Sequence, residues 1–151
     1  MRAKPGIAEA IGRIFTTMLL LTGRADRAEA AILEAAEALD AGESSDEELL
    51  RGAVKVSIAD ERNLGELRAE QLERASRLLP PELKRVLRLS PDLRGCYVLR
   101  VLAGFPGEVC ASLLHLETRQ VEERSLTAML ELVRYFAPPH ACHSRRMVSA
   151  C

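Results

Sequence analysis

Residues 89–132 read LSPDLRGCYVLRVLAGFPGEVCASLLHLETRQVEERSLTAMLEL, three apolar-periodic segments separated by two short breaks. Ser90 is placed to cap a helix that begins at Pro91, with Asp92 in its positive first turn. Leu93, Tyr97, Val98, Val101 and Leu102 recur at three- and four-residue spacing, which predicts one apolar helical face. Gly104-Phe105-Pro106-Gly107 stops that helix, because Gly suits a C-terminal cap and Pro cannot extend the hydrogen-bond ladder. A short helix over 108–114 follows, with Val109, Cys110, Leu113 and Leu114 turned inward. His115-Leu116-Glu117-Thr118 makes a tight corner. The spacing then predicts a longer helix over 118–133 that buries Val121, Leu126, Met129, Leu130 and Leu132. Short helix, tight corner and longer helix make a helix-turn-helix, whose second helix can enter a DNA major groove.

Composition favours helices in the rest of the chain as well. Hydrophobic residues make up 48% of the 151 and aromatic residues 3%, with no Trp, so the apolar content is mostly Leu, Ala and Val. Leu and Ala are good helix formers, which predicts an all-α protein. No apolar run approaches the ~20 residues that span a bilayer. The apolar run 14–21 contains Thr16 and Thr17 and reads as a core helix rather than a signal peptide. These features predict a cytoplasmic protein that does not associate with membranes. The four cysteines, at 96, 110, 142 and 151, are irregularly spaced and read as free thiols. Charge is uneven: residues 1–79 hold 11 Lys/Arg against 15 Asp/Glu, and residues 80–151 hold 10 against 7. The excess of cations lies in the half that carries the helix-turn-helix.

From the N-terminus, a first helix spans 7–22, with Ile7, Ile11, Ile14, Phe15, Met18, Leu19 and Leu21 as a wide apolar stripe ended by Gly23. Asp26 is placed to cap a second helix, to about residue 39, with Ala28, Ala31, Ile32, Ala35 and Leu39 inward. Gly42 separates it from a third, which Ser45-Asp46-Glu47-Glu48 opens as a capping box and which carries Leu49, Leu50, Ala53, Val54 and Ile58 to about residue 61. Residues 64–79 are partly helical, with Leu67, Leu72, Leu78 and Leu79 available for packing. Pro80-Pro81 then introduces a short helix over 82–89 that holds Lys84, Arg85 and Arg88, the most basic patch in the chain. The expected architecture is therefore all-α with two small helical domains, at 1–63 and 89–136. Linker helices at 64–88 join them, and a tail at 137–151 follows.

The order of these elements resembles the extracytoplasmic-function sigma factors of the sigma-70 family. Residues 89–132 resemble region 4, the domain that reads the promoter −35 element. The resemblance is carried by Val98-Leu99-Arg100, Gly104-Phe105-Pro106, Glu108 with Ala111, Leu114-His115-Leu116 and the inward Val121. The N-terminal helices resemble region 2, through Leu20-Leu21-Thr22-Gly23, Ala28-Glu29, Ile32-Leu33 and Leu50, Ile58 and Asp60. The resemblance implies a transcription initiation protein whose partners are core RNA polymerase, promoter DNA and, where it is regulated, an anti-sigma factor. It implies polymerase contact by Asp26, Glu29, Ile32 and Leu33, and DNA contact by Arg119, Gln120, Glu123, Arg124, Arg85 and Arg88. Arg and Gln at the start of the longer helix suit bidentate reading of purines.

The sequence also departs from that family. Strand capture at a −10 element needs aromatic faces and cations. Leu49 stands where Trp is usual and Val56 where Asn is usual, and residues 40–48 hold five acids and no base. Phosphates are repelled by such a segment. The alternative reading is thus a sigma-like interaction module that binds polymerase or an anti-sigma factor without reading promoters. His140, Cys142, His143 and Cys151 are zinc-ligand types but form no paired CxxC pattern, so no metal or other cofactor is expected. No Ser-His-Asp set, Gly-rich phosphate loop or pocketed carboxylate pair stands out, so no enzymatic activity is expected.

Overall fold

The computed structural model describes residues 6–39, 45–59 and 67–136, and no strand occurs among them. The protein is all-α, as its composition predicts. Gly42, Asp60 and the tail residues His140, Cys142, His143 and Cys151 lie outside the described residues.

Helix α1 (Ile7–Thr22) ends in four consecutive fully buried residues, Met18, Leu19, Leu20 and Leu21, so neighbours surround it there on every side. Ile11 is exposed, contrary to expectation, because the first turns of α1 are covered only along the line of Ala10 and Ile14. At the α1 corner the buried Thr22 hydroxyl donates to the Met18 carbonyl at 2.9 Å and accepts from the Arg24 amide at 3.2 Å. Gly23 follows at φ +70°, and its amide reaches the Leu19 carbonyl at 2.7 Å. That turn fixes Arg24 in an extended conformation, so α2 (Ala25–Ala38) starts at Ala25 with Arg24, not Asp26, at the N-cap position. Asp26 lies in the first turn instead, paired to Arg24 at 3.3 Å.

Small side chains let α2 and α3 (Asp46–Ala59) approach closely. Ala28, Ala31 and Ala35 are buried opposite Ala53, and a Cβ added at Gly52 would sit 3.2 Å from that of Ala35. The expected capping box opens α3: the Glu48 amide donates to Ser45 Oγ and the Ser45 amide to Glu48 Oε2, both at 3.2 Å. Helix α4 (Ala69–Arg77) follows, with Gln71 accepting from the Arg68 amide at 3.1 Å. The helix expected over 82–89 is one short 3₁₀ stretch, Lys84–Arg88, which buries Val86 and Leu87.

Helix α5 (Pro91–Tyr97) has Pro91 at its first position, but the Ser90 side chain makes no cap hydrogen bond. The helix then widens into a π segment, Val98–Leu102, closed by the Ala103 amide on the Val98 carbonyl at 2.8 Å. Each residue of a π turn rotates less than in an α-helix, so the expected inward set drifts off the core. Val98 and Leu99 are fully buried, whereas Val101 and Leu102 are exposed. Gly104, at φ +76°, ends the segment.

Helices α6 (Gly107–Leu114) and α7 (Thr118–Phe136) form the expected bihelical corner. His115 occupies the left-handed region at φ 55°, ψ 44°, and the Leu116 amide reaches back to the Ala111 carbonyl at 2.9 Å. The inward face of α7 differs from expectation. Val121, Ser125, Ala128 and Leu132 are buried, while Leu126, Met129 and Leu130 are exposed. The reason is steric: Ser125 and Ala128 let α5 lie close, and the Ser125 hydroxyl donates to the Cys96 carbonyl across that contact at 3.4 Å. Bulkier Leu126 and Leu130 cannot occupy so narrow a gap.

One apolar cluster runs through both halves of the chain, from Ile14, Met18 and Val54 to Leu99, Phe105 and Val121. The π segment packs on α1, and α3 packs on α6. The Arg51 guanidinium lies 5.9 Å from the Phe105 ring centre, a cation–π contact between α3 and the segment that leads into the corner.

Two glycines here differ in what a Cβ would meet. Both Gly23 and Gly104 sit at positive φ, where an L residue is strained by roughly 1–2 kcal/mol. A Cβ at Gly23 would also overlap the Leu67 side chain, while one at Gly104 meets nothing within 4 Å. Urea denaturation is expected to show Gly104→Ala destabilised by about 1 kcal/mol and Gly23→Ala by about 2 kcal/mol. Equal losses would mean that Leu67 yields freely.

Candidate nucleic-acid interface

The N-terminal turns of α7 stand out from the corner. Arg119 has 85% of its side chain exposed, and its Nε pairs with Glu123 Oε1 at 2.9 Å one turn on. Thr118, Gln120, Glu122 and Glu123 are exposed on the same two turns, and Arg124 is half-buried. Among the described residues, nothing covers the end of α7 where the sequence reading expects base contact.

Two of these side chains already have structural work. Gln120 Oε1 accepts the Glu117 amide at 3.0 Å and so caps the start of α7. To read an adenine bidentately Gln120 Oε1 either accepts a second hydrogen bond or releases this one, and release costs about 1 kcal/mol of helix capping. Glu122 Oε1 accepts from Arg100 Nε at 2.8 Å, and a second Arg100 nitrogen donates to the Phe105 carbonyl at 3.5 Å. The Glu122 hydrogen bond raises the Arg100 pKa further above its ordinary value. A Cβ added at Gly107 would lie 2.7 Å from Glu122 Oε1, so a side chain there would have to displace the clamped carboxylate. Arg100 and Glu122 thus tie the π segment, the corner and α7 together. The sequence reading missed this pair, since 22 positions separate the two residues and no helical periodicity links them.

The basic patch lies on a different element. Lys84 and Arg88 are exposed and Arg85 is half-buried, and all three line an open cleft of about 940 Å³ shared with Leu72, Glu73 and Ser76 of α4. The 3₁₀ stretch that carries them touches both α4 and α7. Phosphates are the ligands that three clustered cations suit, although Glu73, paired with Arg77 at 2.8 Å, offsets part of the charge.

The side chains assigned to polymerase contact divide by exposure. Asp26, Glu29 and Leu33 are exposed along one face of α2, and Ile32 is half-buried against the core. Leu33 is 64% exposed and has acids around it, a combination that suits a partner with an apolar pocket rimmed by cations.

The interior around α5 and α6 holds two shielded thiols. Cys96 and Cys110 are both fully buried free thiols. Burial pushes the Cys110 thiol from 9.0 up to about 11, against the lowering effect of the nearby Arg100 charge. The folded state therefore holds a proton that the unfolded chain releases above pH 9. The stability this contributes is intact below pH 9 and is lost as pH rises toward 11. Alkylation at pH 8 followed by peptide mass mapping is expected to leave Cys96 and Cys110 unmodified in native protein and to label both in urea. Arg94, only 2% exposed on α5, is a further feature that sequence reasoning missed; burial lowers its pKa.

Among the described residues, no group of three or more His, Cys, Asp or Glu is arranged to hold a metal ion. No helix among them is long and apolar enough to cross a membrane. No protein-family model matches the chain, and no curated protein matches it.

Proposed function

We propose that this protein is a sigma-factor-like transcription initiation protein, which docks on core RNA polymerase through α2 and contacts promoter DNA through α7. The observation that carries the reading is the exposed Arg119 at the N-terminal end of the second helix of a bihelical corner. That is where helix-turn-helix proteins present side chains to base edges. Lys84, Arg85 and Arg88 supply phosphate contacts, and the Asp26, Glu29 and Leu33 face of α2 supplies the polymerase surface. The test begins with selection of duplexes from a random-sequence pool on immobilised protein. Binding of the enriched duplex is then followed by fluorescence anisotropy. Arg119→Ala is expected to weaken that binding about tenfold, the low end of what one bidentate base contact contributes. An unchanged affinity removes Arg119 from the interface.

A second reading is favoured by one specific arrangement. The first turn of α3 carries Asp46, Glu47 and Glu48, and α3 packs on α6, the first helix of the corner. An acidic surface held beside a DNA-reading element opposes phosphate approach. On this reading the protein is an interaction module for polymerase or an anti-sigma factor. Failure to enrich any duplex, with core polymerase still retained by the tagged protein, selects it.

A further inference from the structure

The polar side chains on the first turns of α7 are not equally free to meet a base. Gln120 Oε1 holds the Glu117 amide at 3.0 Å. Arg124 is half-buried. Glu122, on the turn after Arg119, is drawn toward the π segment by Arg100 Nε at 2.8 Å and so does not compete for Arg119. Arg119 is left with a single acid, its Nε donating to Glu123 Oε1 at 2.9 Å. That bond uses one of the five N–H donors of a guanidinium. Among the described residues, the two η nitrogens of Arg119 meet no hydrogen-bond acceptor, and the side chain stands in the open.

We infer that Arg119 selects a guanine and that Glu123 is the positioning residue that fixes how Arg119 reads it; the inference rests on the duplex-binding reading above. A guanidinium can meet a base side-on, through Nε and one η nitrogen, or end-on, through its two η nitrogens. With Nε held by Glu123, the end-on edge is the one left for a base. Both groups on that edge are donors, so the base must present two acceptors side by side. In the major groove guanine does so with O6 and N7. Adenine sets its N6 donor beside N7, thymine sets a methyl beside O4, and cytosine offers a donor. Holding the guanidinium in place beforehand also reduces the side-chain freedom lost on binding. The pair is neutral as a unit, so it adds discrimination between bases with little attraction to phosphates. Glu123 thus acts in opposite directions on two quantities, raising the preference for guanine and lowering affinity for duplex of any sequence.

The duplexes enriched on the full wild-type chain are expected to share one guanine. Replacing that G·C pair by A·T in the enriched duplex should weaken binding, read by anisotropy, about thirtyfold, within the range of one bidentate base contact. Arg119→Gln, whose amide suits adenine rather than guanine, should abolish that preference. Glu123→Ala should cut the preference to about threefold while affinity for a scrambled duplex rises about twofold, since one acid beside the phosphates is gone. A merely structural role for Glu123 would lower both affinities together. Glu123→Gln, whose amide oxygen still accepts from Nε, should recover most of the preference. Both positions are exposed, so circular dichroism of each variant should match wild type. Enriched duplexes with no shared guanine, or a guanine preference that survives Arg119→Gln, overturn the assignment while duplex binding itself stands. An undiminished preference in Glu123→Ala overturns the role of Glu123 and leaves it an ordinary surface partner. If no duplex is enriched, the duplex-binding reading fails and this inference fails with it.

Discussion

Raising salt from 50 to 200 mM is expected to weaken duplex binding about a hundredfold. The estimate follows from counterion release: log affinity falls with log salt at a slope near −0.9 per phosphate neutralised, and roughly three to four contacts over a fourfold salt increase give that factor. Lys84, Arg85, Arg88, Arg119 and Arg124 are the cations on the proposed surface, Arg119 of them at a base edge. With a formal net charge of −1, the protein as a whole gains little from non-specific attraction, so a steep slope reports local contacts. Anisotropy titrations at several salt concentrations read the slope. Changing Lys84 and Arg88 together to Ala should reduce its magnitude by about 2. A flat salt dependence leaves only the polymerase- and anti-sigma-binding role.

Leu99→Ala is expected to destabilise the protein by about 3–4 kcal/mol, the usual cost of emptying a fully enclosed leucine site. Against a total stability of roughly 5–15 kcal/mol that is a large fraction. Leu99 belongs to the π segment, which packs on α1, so the loss falls on a core shared by both halves of the chain. Unfolding should therefore remain one transition, moved to lower urea. Far-UV circular dichroism reports all the helices, whereas tyrosine fluorescence, from Tyr97 and Tyr135 with no Trp to obscure it, reports α5 and α7. Coincident curves from the two probes are the expected result. If the circular dichroism instead splits into two steps, with only the later one moved by Leu99→Ala, the two halves fold separately.

The sequence carried the helices and their punctuation well, because those depend on local chemistry. The Ser45–Glu48 capping box, the stop at Gly104 and the His115 corner are each specified within four or five residues. Features set by tertiary contact were less legible. The π segment rotates Val101 and Leu102 away from the core, and a three- and four-residue periodicity assumes a uniform α-helix. On α7, Val121 and Leu132 of the expected face are buried, but the large Leu126, Met129 and Leu130 are exposed, because close approach to α5 and not side-chain size sets that face. The line Val121, Ser125, Ala128, Leu132 is readable as a narrow packing seam, since small residues on successive turns permit close helix approach. Of the residues proposed to contact DNA, Arg119 and Arg88 are exposed. The capping bond of Gln120 and the half-burial of Arg85 are tertiary facts that spacing does not encode.

The claim on which the functional account rests is that the first turns of α7 meet a duplex directly. Two-dimensional ¹⁵N–¹H spectra of the full chain, recorded while the enriched duplex is added, test it most directly. The account predicts that the amides of Thr118, Arg119, Gln120 and Glu123, with those of Lys84, Arg85 and Arg88, move as duplex is added while those of α2 hold still. Movement confined to α2 or α3, with Thr118 to Glu123 unchanged at saturation, contradicts it.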